Sequence, residues 1–214
     1  GSIGSSTMTT RMRLVTAEGP LLEEILDHTF PLWNEGMTRA AYGRWWAAQL
    51  RTTWGSRRLR RFALVDDNRW LSTAKRYSFD VRLGGRDARM AGIGAVFTPQ
   101  DLRGRGHASE LISRLLDHEA REGVELAALF SEIGGEFYRR LGFEQVPIEE
   151  VTIEVDQKPG APAMLVRAGD DRDIPALAAM HEVRSAPASF ALRRDADLIQ
   201  YALSKKRLQA GLGP

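Results

Sequence analysis

The apolar positions of this chain change period several times, and each change marks an element. Met12 to Val15 is a short apolar patch that predicts a first strand. After Glu18-Gly19-Pro20, Leu22, Ile25 and Leu26 recur at helical spacing, which predicts a helix over 21–30. Thr38 is placed to cap a second helix running to about Thr52, with Tyr42, Trp45, Trp46 and Leu50 along it. Arg61 to Val65 predicts a strand closed by the turn Asp66-Asp67-Asn68. Trp70 to Leu83 alternates as a half-buried strand does. Gly84-Gly85-Arg86-Asp87 predicts a hairpin turn, and Met90 to Thr98 the returning strand, which Pro99 stops. Gly92 and Gly94 within it are consistent with a bulge.

The clearest period follows. Ala108, Leu111, Ile112, Leu115 and Leu116 make one apolar stripe of a helix over 107–123, and Gly123 is placed to end it. Leu126 to Phe130 is short, apolar and bounded, which suits a central strand. Gly134 to Leu141 predicts a short helix, Phe143 the start of another strand, and Val151 to Val155 one more. The fold class is α/β with a mixed sheet, and the strand–helix–strand unit over 90–131 carries the expectation of a right-handed crossover.

Gln157 to Ala163 (QKPGAPA) predicts a linker. Beyond it, a strand at Met164 to Arg167 and helices over 173–183 and 195–208 repeat the strand–helix–helix order of 12–52. Residues 164–214 therefore read as the opening of a second, related lobe that leans on the first domain or on the mate of a homodimer. The alternative is a C-terminal helical extension of a single domain. Gly1 to Thr7 reads as an expression remnant ahead of Met8, which leaves 8–156 as the principal domain.

Composition narrows the function classes. The 214 residues are 43% hydrophobic and 27% charged, ordinary for a globular chain. A formal charge of +2 calls for no polyanionic partner, so no nucleic acid is expected. No apolar run approaches the roughly eighteen residues of a membrane-spanning helix, and no apolar leader follows a charged start, so no membrane is expected and the cytoplasm is the default compartment. With no cysteine, disulfides, thiolate metal sites and a cysteine nucleophile are excluded, and no metal is expected.

The candidate chemistry lies in Val96 to Ala108, VFTPQDLRGRGHA. A strand ends, a loop with Gly104 and Gly106 follows, and an amphipathic helix begins at His107. Unpaired N–H groups and the positive end of the helix dipole make that junction receptive to an anion. Arg103 and Arg105 add charge beside it. The loop lacks both GxGxxG and the lysine of GxxxxGK[ST], which argues against dinucleotides and nucleoside triphosphates.

Arg103-x-x-Gly106-x-Ala108 resembles the pyrophosphate loop of the GNAT superfamily of acyl-CoA N-acyltransferases. Phe137-Tyr138-Arg139-Arg140-Leu141-Gly142-Phe143 resembles that family's FYxxxGF segment. The likeness covers roughly residues 12–155. It implies a mostly antiparallel twisted sheet with helices on both faces and acetyl-CoA as co-substrate. The implied reaction is direct attack of an amine, on a small molecule or a peptide, upon the thioester. By the same resemblance the pyrophosphate meets Arg103, Gly104, Arg105, Gly106, His107 and Ala108, while Val96, Phe97 and Thr98 lend backbone groups to the pantetheine arm. Tyr138 matches the family's general acid, or else packs on the co-substrate without transferring a proton. Ser131 stands where related enzymes place a polar group, or else caps the helix that follows.

The base is open. Met90 to Thr98 lacks the family glutamate, and Glu132, Glu136, Asp80, Glu35 and His28 are the candidates, with Glu132 taken as catalytic beside Tyr138. Trp33, Trp45, Trp46 and Trp54 line an acceptor pocket or belong to the core. Arg57, Arg58, Arg60 and Arg61 attract an acidic group or form a solvated edge. Two other functions compete: a non-catalytic acyl-CoA-binding or regulatory domain, and an unrelated phosphate- or nucleotide-binding module.

Overall fold

Alternation on the second strand sorts its side chains between two layers, and that sorting organises the molecule. The computed structural model describes residues 12–67, 69–148, 151–154, 160 and 167–212. Strands β1 (Arg13–Thr16), β2 (Leu59–Asp66), β3 (Arg69–Leu83), β4 (Arg86–Phe97) and β5 (Leu126–Leu129) lie side by side in that order. All neighbours are antiparallel except β4 and β5, which pair in parallel from Met90↔Leu126 to Ile93↔Leu129.

Helix α1 (Gly19–Trp33), α2 (Arg39–Arg51) and α3 (Thr53–Arg58) cover one face. α4 (His107–Arg121) covers the other, and the four-residue α5 (Glu136–Arg139) lies beyond β5 in sequence. Phe62 and Leu64 of β2 point to α4, where they pack with Leu111, Ile112 and Leu115. Leu59 packs with Trp45, Trp46 and Trp54 on the opposite face, and Ala63 and Val65 with Ile25 and Trp70. Burying each of the three fully buried α4 side chains is worth about 1.5–3 kcal/mol, which is why the stripe so clearly specifies this helix.

The local signals place most elements well. Thr38 caps α2, its hydroxyl accepting the N–H of Ala41 at 3.2 Å. Gly84 and Gly85 turn the β3–β4 hairpin with φ of 56° and 83°. Gly123, at φ 78°, follows the α4 cap, and the Val124 N–H returns to the Glu119 carbonyl.

Other expectations need correction. The bulge in β4 sits at Ala95, not at the glycines. Thr73 faces Phe97 while Lys75 faces Gly94, so β4 carries one extra residue there, and Ala95 takes φ 49°. Gly92 is required by packing instead: a Cβ there would come within 2.6 Å of the Phe79 ring. Among the described strands β5 is terminal rather than central. No strand forms at 143–148 or 151–154. Val146, Ile148, Val151 and Ile153 alternate but are exposed and pair with no described strand, although the outer edge of β5 is free among the described strands.

The C-terminal segment joins the first sheet. α6 (Ile174–Ser185) and α7 (Ala196–Leu212) flank a short strand β6 (Phe190–Leu192), which the apolar pattern missed and which pairs with β3 at Val81–Leu83. Leu198 and Tyr201 of α7 enter the core of α2 and α3, and the Tyr201 hydroxyl donates to Gln49 at 3.0 Å. Residues 164–166 of the expected strand at 164–167 and most of the linker 157–163 lie outside the described residues, as do residues 1–7, and Arg167 is in no strand. Among the described residues no helix is long and apolar enough to cross a membrane.

Candidate active site

The splayed end of β4 and β5 positions the candidate site. Pairing stops at Ile93 and Leu129, whereas β4 runs on through the Ala95 bulge to Phe97. Backbone groups past the bulge on that edge have no β5 partner. A 3-10 turn, Gln100–Leu102, then leads to Gly104 and Gly106 with φ of 74° and 81°. Such angles favour glycine. A Cβ on either would meet nothing within 4 Å, so the backbone stands open to an incoming group.

α4 starts on Gly106 with no side-chain cap, and its first intrahelical bond runs from the Glu110 N–H to the Gly106 carbonyl. The N–H groups of the preceding turn, those of His107 and Ala108 included, are those a helix leaves for an external acceptor. The guanidinium of Arg103 folds back, its Nε donating to the Thr98 carbonyl at 3.1 Å. Arg103 thus closes the loop, and exposed Arg105 is the freer charge. Val96 packs toward α4, but the Phe97 ring belongs to the opposite core with Trp33 and Trp70. Thr98 shares a hydrogen bond with Ser72 at 3.0 Å. Phe97 and Thr98 therefore have mainly backbone to offer a ligand.

Tyr138 is held by its own motif. Gly142, at φ 88°, turns the chain so that the N–H groups of Leu141 and Phe143 both reach the Tyr138 carbonyl, at 2.9 and 3.2 Å. Phe137 and Phe143 stand edge-on to its ring at 4.9 and 5.9 Å. The phenol joins the core cluster of Val96, Leu102, Leu111 and Leu129, on the α4 side of the splay. Burial pushes it above its ordinary value, with the Ser131 hydroxyl opposing the shift, so the acid form persists at neutral pH. Ser131 donates to the Gly134 carbonyl at 3.3 Å rather than capping α5, whose N-cap is Gly135.

No described hydrogen bond or ion pair ties any of the candidate bases to the bulge. Glu132 is exposed in the loop after β5. Glu136 pairs with Arg139 at 2.7 Å and Asp80 with Arg58 at 2.8 Å. Glu35 lies in the turn after α1 at φ 52°. His28 stands edge-on to Trp70 in a shallow depression bounded by Phe97, Gln100 and Arg103.

The arginine cluster is not one solvated edge. Arg57 pairs with Asp197 at 2.6 Å, and Arg60 donates to the Leu59 carbonyl. Arg61 instead points into the α1/α2 face and is 1% exposed. It lies in register with Lys75, itself 8% exposed. The Arg61 guanidinium sits 5.2 Å from the Trp46 ring centroid, and the Lys75 amine 5.1 Å from Trp46 and 5.5 Å from Trp45. Such contacts are worth about 0.5–2 kcal/mol each, too little to replace the hydration of a buried cation. Burial, then the charges of Arg61 and Lys205, pushes Lys75 well below its ordinary value. Sequence reasoning missed this pair. The signal available was parity: Arg61 alternates with inward Ala63, and Lys75 with Tyr77.

A family model described as an acetyltransferase (GNAT) domain matches residues 22–146, more than half of the chain. A comparison with curated proteins gives no significant match. Among solved structures, the chain is similar to a transcriptional regulator from Bacillus halodurans, with a TM-score of 0.54 and 16% identity over 68% of this chain and 100% of that one. It is also similar to the aminoglycoside N-acetyltransferase AAC(6')-Iy in complex with CoA, with a TM-score of 0.52 and 20% identity over 69% and 96% of the two chains. A GCN5-related N-acetyltransferase from Kribbella flavida has a TM-score of 0.50 and 26% identity over 62% of this chain and 32% of its own. The chain thus spans the whole length of the first of these structures and about a third of the last.

Proposed function

From a chain that belongs to the GNAT acetyltransferase family, we propose an N-acetyltransferase that moves an acetyl group from acetyl-CoA to a primary amine by direct attack. The observation that carries the reading is the junction of a bulged strand end, unpaired on its β5 side, with an uncapped helix start, Ala95 to Ala108. Acetyl-CoA supplies the activated acetyl group. The N–H groups from Gly104 to Ala108 take the pyrophosphate, with Arg105 adding charge and Arg103 holding the loop closed. Backbone at Val96 to Thr98 aligns the arm that leads to the thioester. Over the reaction a C–N bond forms and the C–S bond breaks. The amine loses a proton to water or to Glu132, and the leaving sulfur gains one from Tyr138.

Calorimetry with acetyl-CoA, CoA and ATP, followed by a screen of amines for CoA release, tests this. Binding of acetyl-CoA without ATP binding, with at least one amine turned over, is expected. Equal binding of ATP would point to a general phosphate module. A second reading, a non-catalytic acyl-CoA-binding domain, is favoured by one observation: β4 carries no carboxylate from Ala88 to Phe97, the stretch that holds the bulge. Acetyl-CoA binding with no amine turned over would select it. We also retain residues 164–214 as the opening of a second lobe. The reading rests on the apolar pattern of the sequence alone, since in the structure α6 and α7 flank β6, which pairs with β3 of the first sheet.

A further inference from the structure

We propose that the acceptor amine carries a carboxylate, and that Arg61 and Lys75 hold that carboxylate on the α1/α2 face beside the acetyl group. The inference rests on the acetyltransferase reading above. Arg61, Lys75 and Gly94 form one register row across β2, β3 and β4, and the row ends next to the Ala95 bulge. Strands lie about 5 Å apart, so Lys75 stands about 5 Å and Arg61 about 10 Å from β4. An acceptor spanning that row has its amine and its acid within about 5–10 Å of each other, the size of an amino acid or a short homologue.

The pair is built as a receptor rather than as a structural contact. Nε, Nη1 and Nη2 of Arg61 are all buried without a hydrogen-bond partner among the described residues, and so is Nε1 of Trp46, the ring over which Arg61 lies. The place holds donors and no paired acceptor, which is the complement of a carboxylate. Ring faces offset part of the charge but satisfy none of these N–H groups.

The other substantially buried arginine with a cationic neighbourhood shows the contrast. Arg76 faces Glu119 at 3.0 Å, whereas Arg61 and Lys75 enter no ion pair among the described residues. Access is from the β4 side. Tyr77 and Phe79 stack at 6.1 Å, are half-buried, and fill the space beside Gly92 and Gly94, so an acceptor reaches the row only when these two rings turn aside.

The test compares free amino acids, from glycine and β-alanine to longer ω-amino homologues and the common L-amino acids, with their amides. Acetyl-CoA is the donor, and CoA release and product mass are the readouts. In the wild type an accepted acid should exceed its amide in kcat/KM by at least about 100-fold. In Arg61→Met and Lys75→Gln that ratio should fall to within a few-fold, with acetyl-CoA affinity unchanged. The acid-to-amide comparison in the wild type stands even if a variant fails to fold. Amides accepted as well as acids, a ratio untouched by both substitutions, or no acid accepted by a protein that binds acetyl-CoA would each overturn the carboxylate site. Failure to bind acetyl-CoA would overturn the acetyltransferase reading itself.

Discussion

The start of α4 and the Arg61–Lys75 row are both receptive to anions, and they lie on opposite faces of one sheet. The first is made of backbone. Its N–H groups and helix dipole sit in an exposed loop, so water solvates them when no ligand is there, and two glycines at positive φ suffice to shape it. The second is made of side chains. Its charges are removed from water beneath Trp45 and Trp46, whose ring faces offset only part of them, and no described carboxylate pairs with them. A group common to every acyl-CoA can be held by solvated main chain at little cost to the fold. A feature that selects one acceptor needs side-chain chemistry, and here that chemistry is stored at the expense of stability.

Replacing the acid leaves both places intact and removes only what happens between them. Tyr138→Phe should keep acetyl-CoA affinity and lower kcat by about 10²–10⁴-fold, measured with any accepted amine. Because burial raises the phenol above its ordinary value, the wild type should show no falling limb from this group as pH rises through neutrality, since the acid form is lost only above that raised value. Wild-type turnover in the variant would leave Tyr138 as packing between Phe137 and Phe143.

Gly106→Val attacks the backbone place alone. A branched residue at φ 81° must shift the helix start, so acetyl-CoA affinity by calorimetry should fall by about 10-fold or more. KM for the acceptor should change little, and a matched loss in both would mean that the two places are not separable.

Lys75→Met attacks the side-chain place and should stabilise the fold. Replacing an uncompensated buried cation by an apolar chain of similar length is worth about 1–3 kcal/mol, read as a raised midpoint of denaturant unfolding. The amine titrates below its ordinary 10.5 in the folded protein, so the unfolded chain binds more protons between the lowered value and 10.5. Wild-type stability should therefore rise with pH across that window, and its deficit against Lys75→Met should narrow. A variant less stable than wild type at neutral pH would make Lys75 a structural residue.

Thr38→Ala touches only the support of the cage, since α2 carries Trp45 and Trp46. Loss of the cap should cost about 0.5–2 kcal/mol in stability while acetyl-CoA affinity is kept.

By itself the sequence determined what depends on neighbours in the chain. The stripe of α4, the Thr38 cap, the glycine hairpin, the loop ending at Ala108 and the self-packing FYRRLGF segment all follow from residues a few positions apart, because helix periodicity, caps and positive-φ turns are local. Tertiary structure decided the rest. It placed the bulge at Ala95, since only the step in register between β3 and β4 reveals the extra residue. It left the alternating residues after Phe143 unpaired and drew β6 onto β3, since strand pairing needs a distant edge. It turned Arg61 and Lys75 inward together, because the partner across a sheet and the rings above it come from segments whose adjacency exists only in the folded chain.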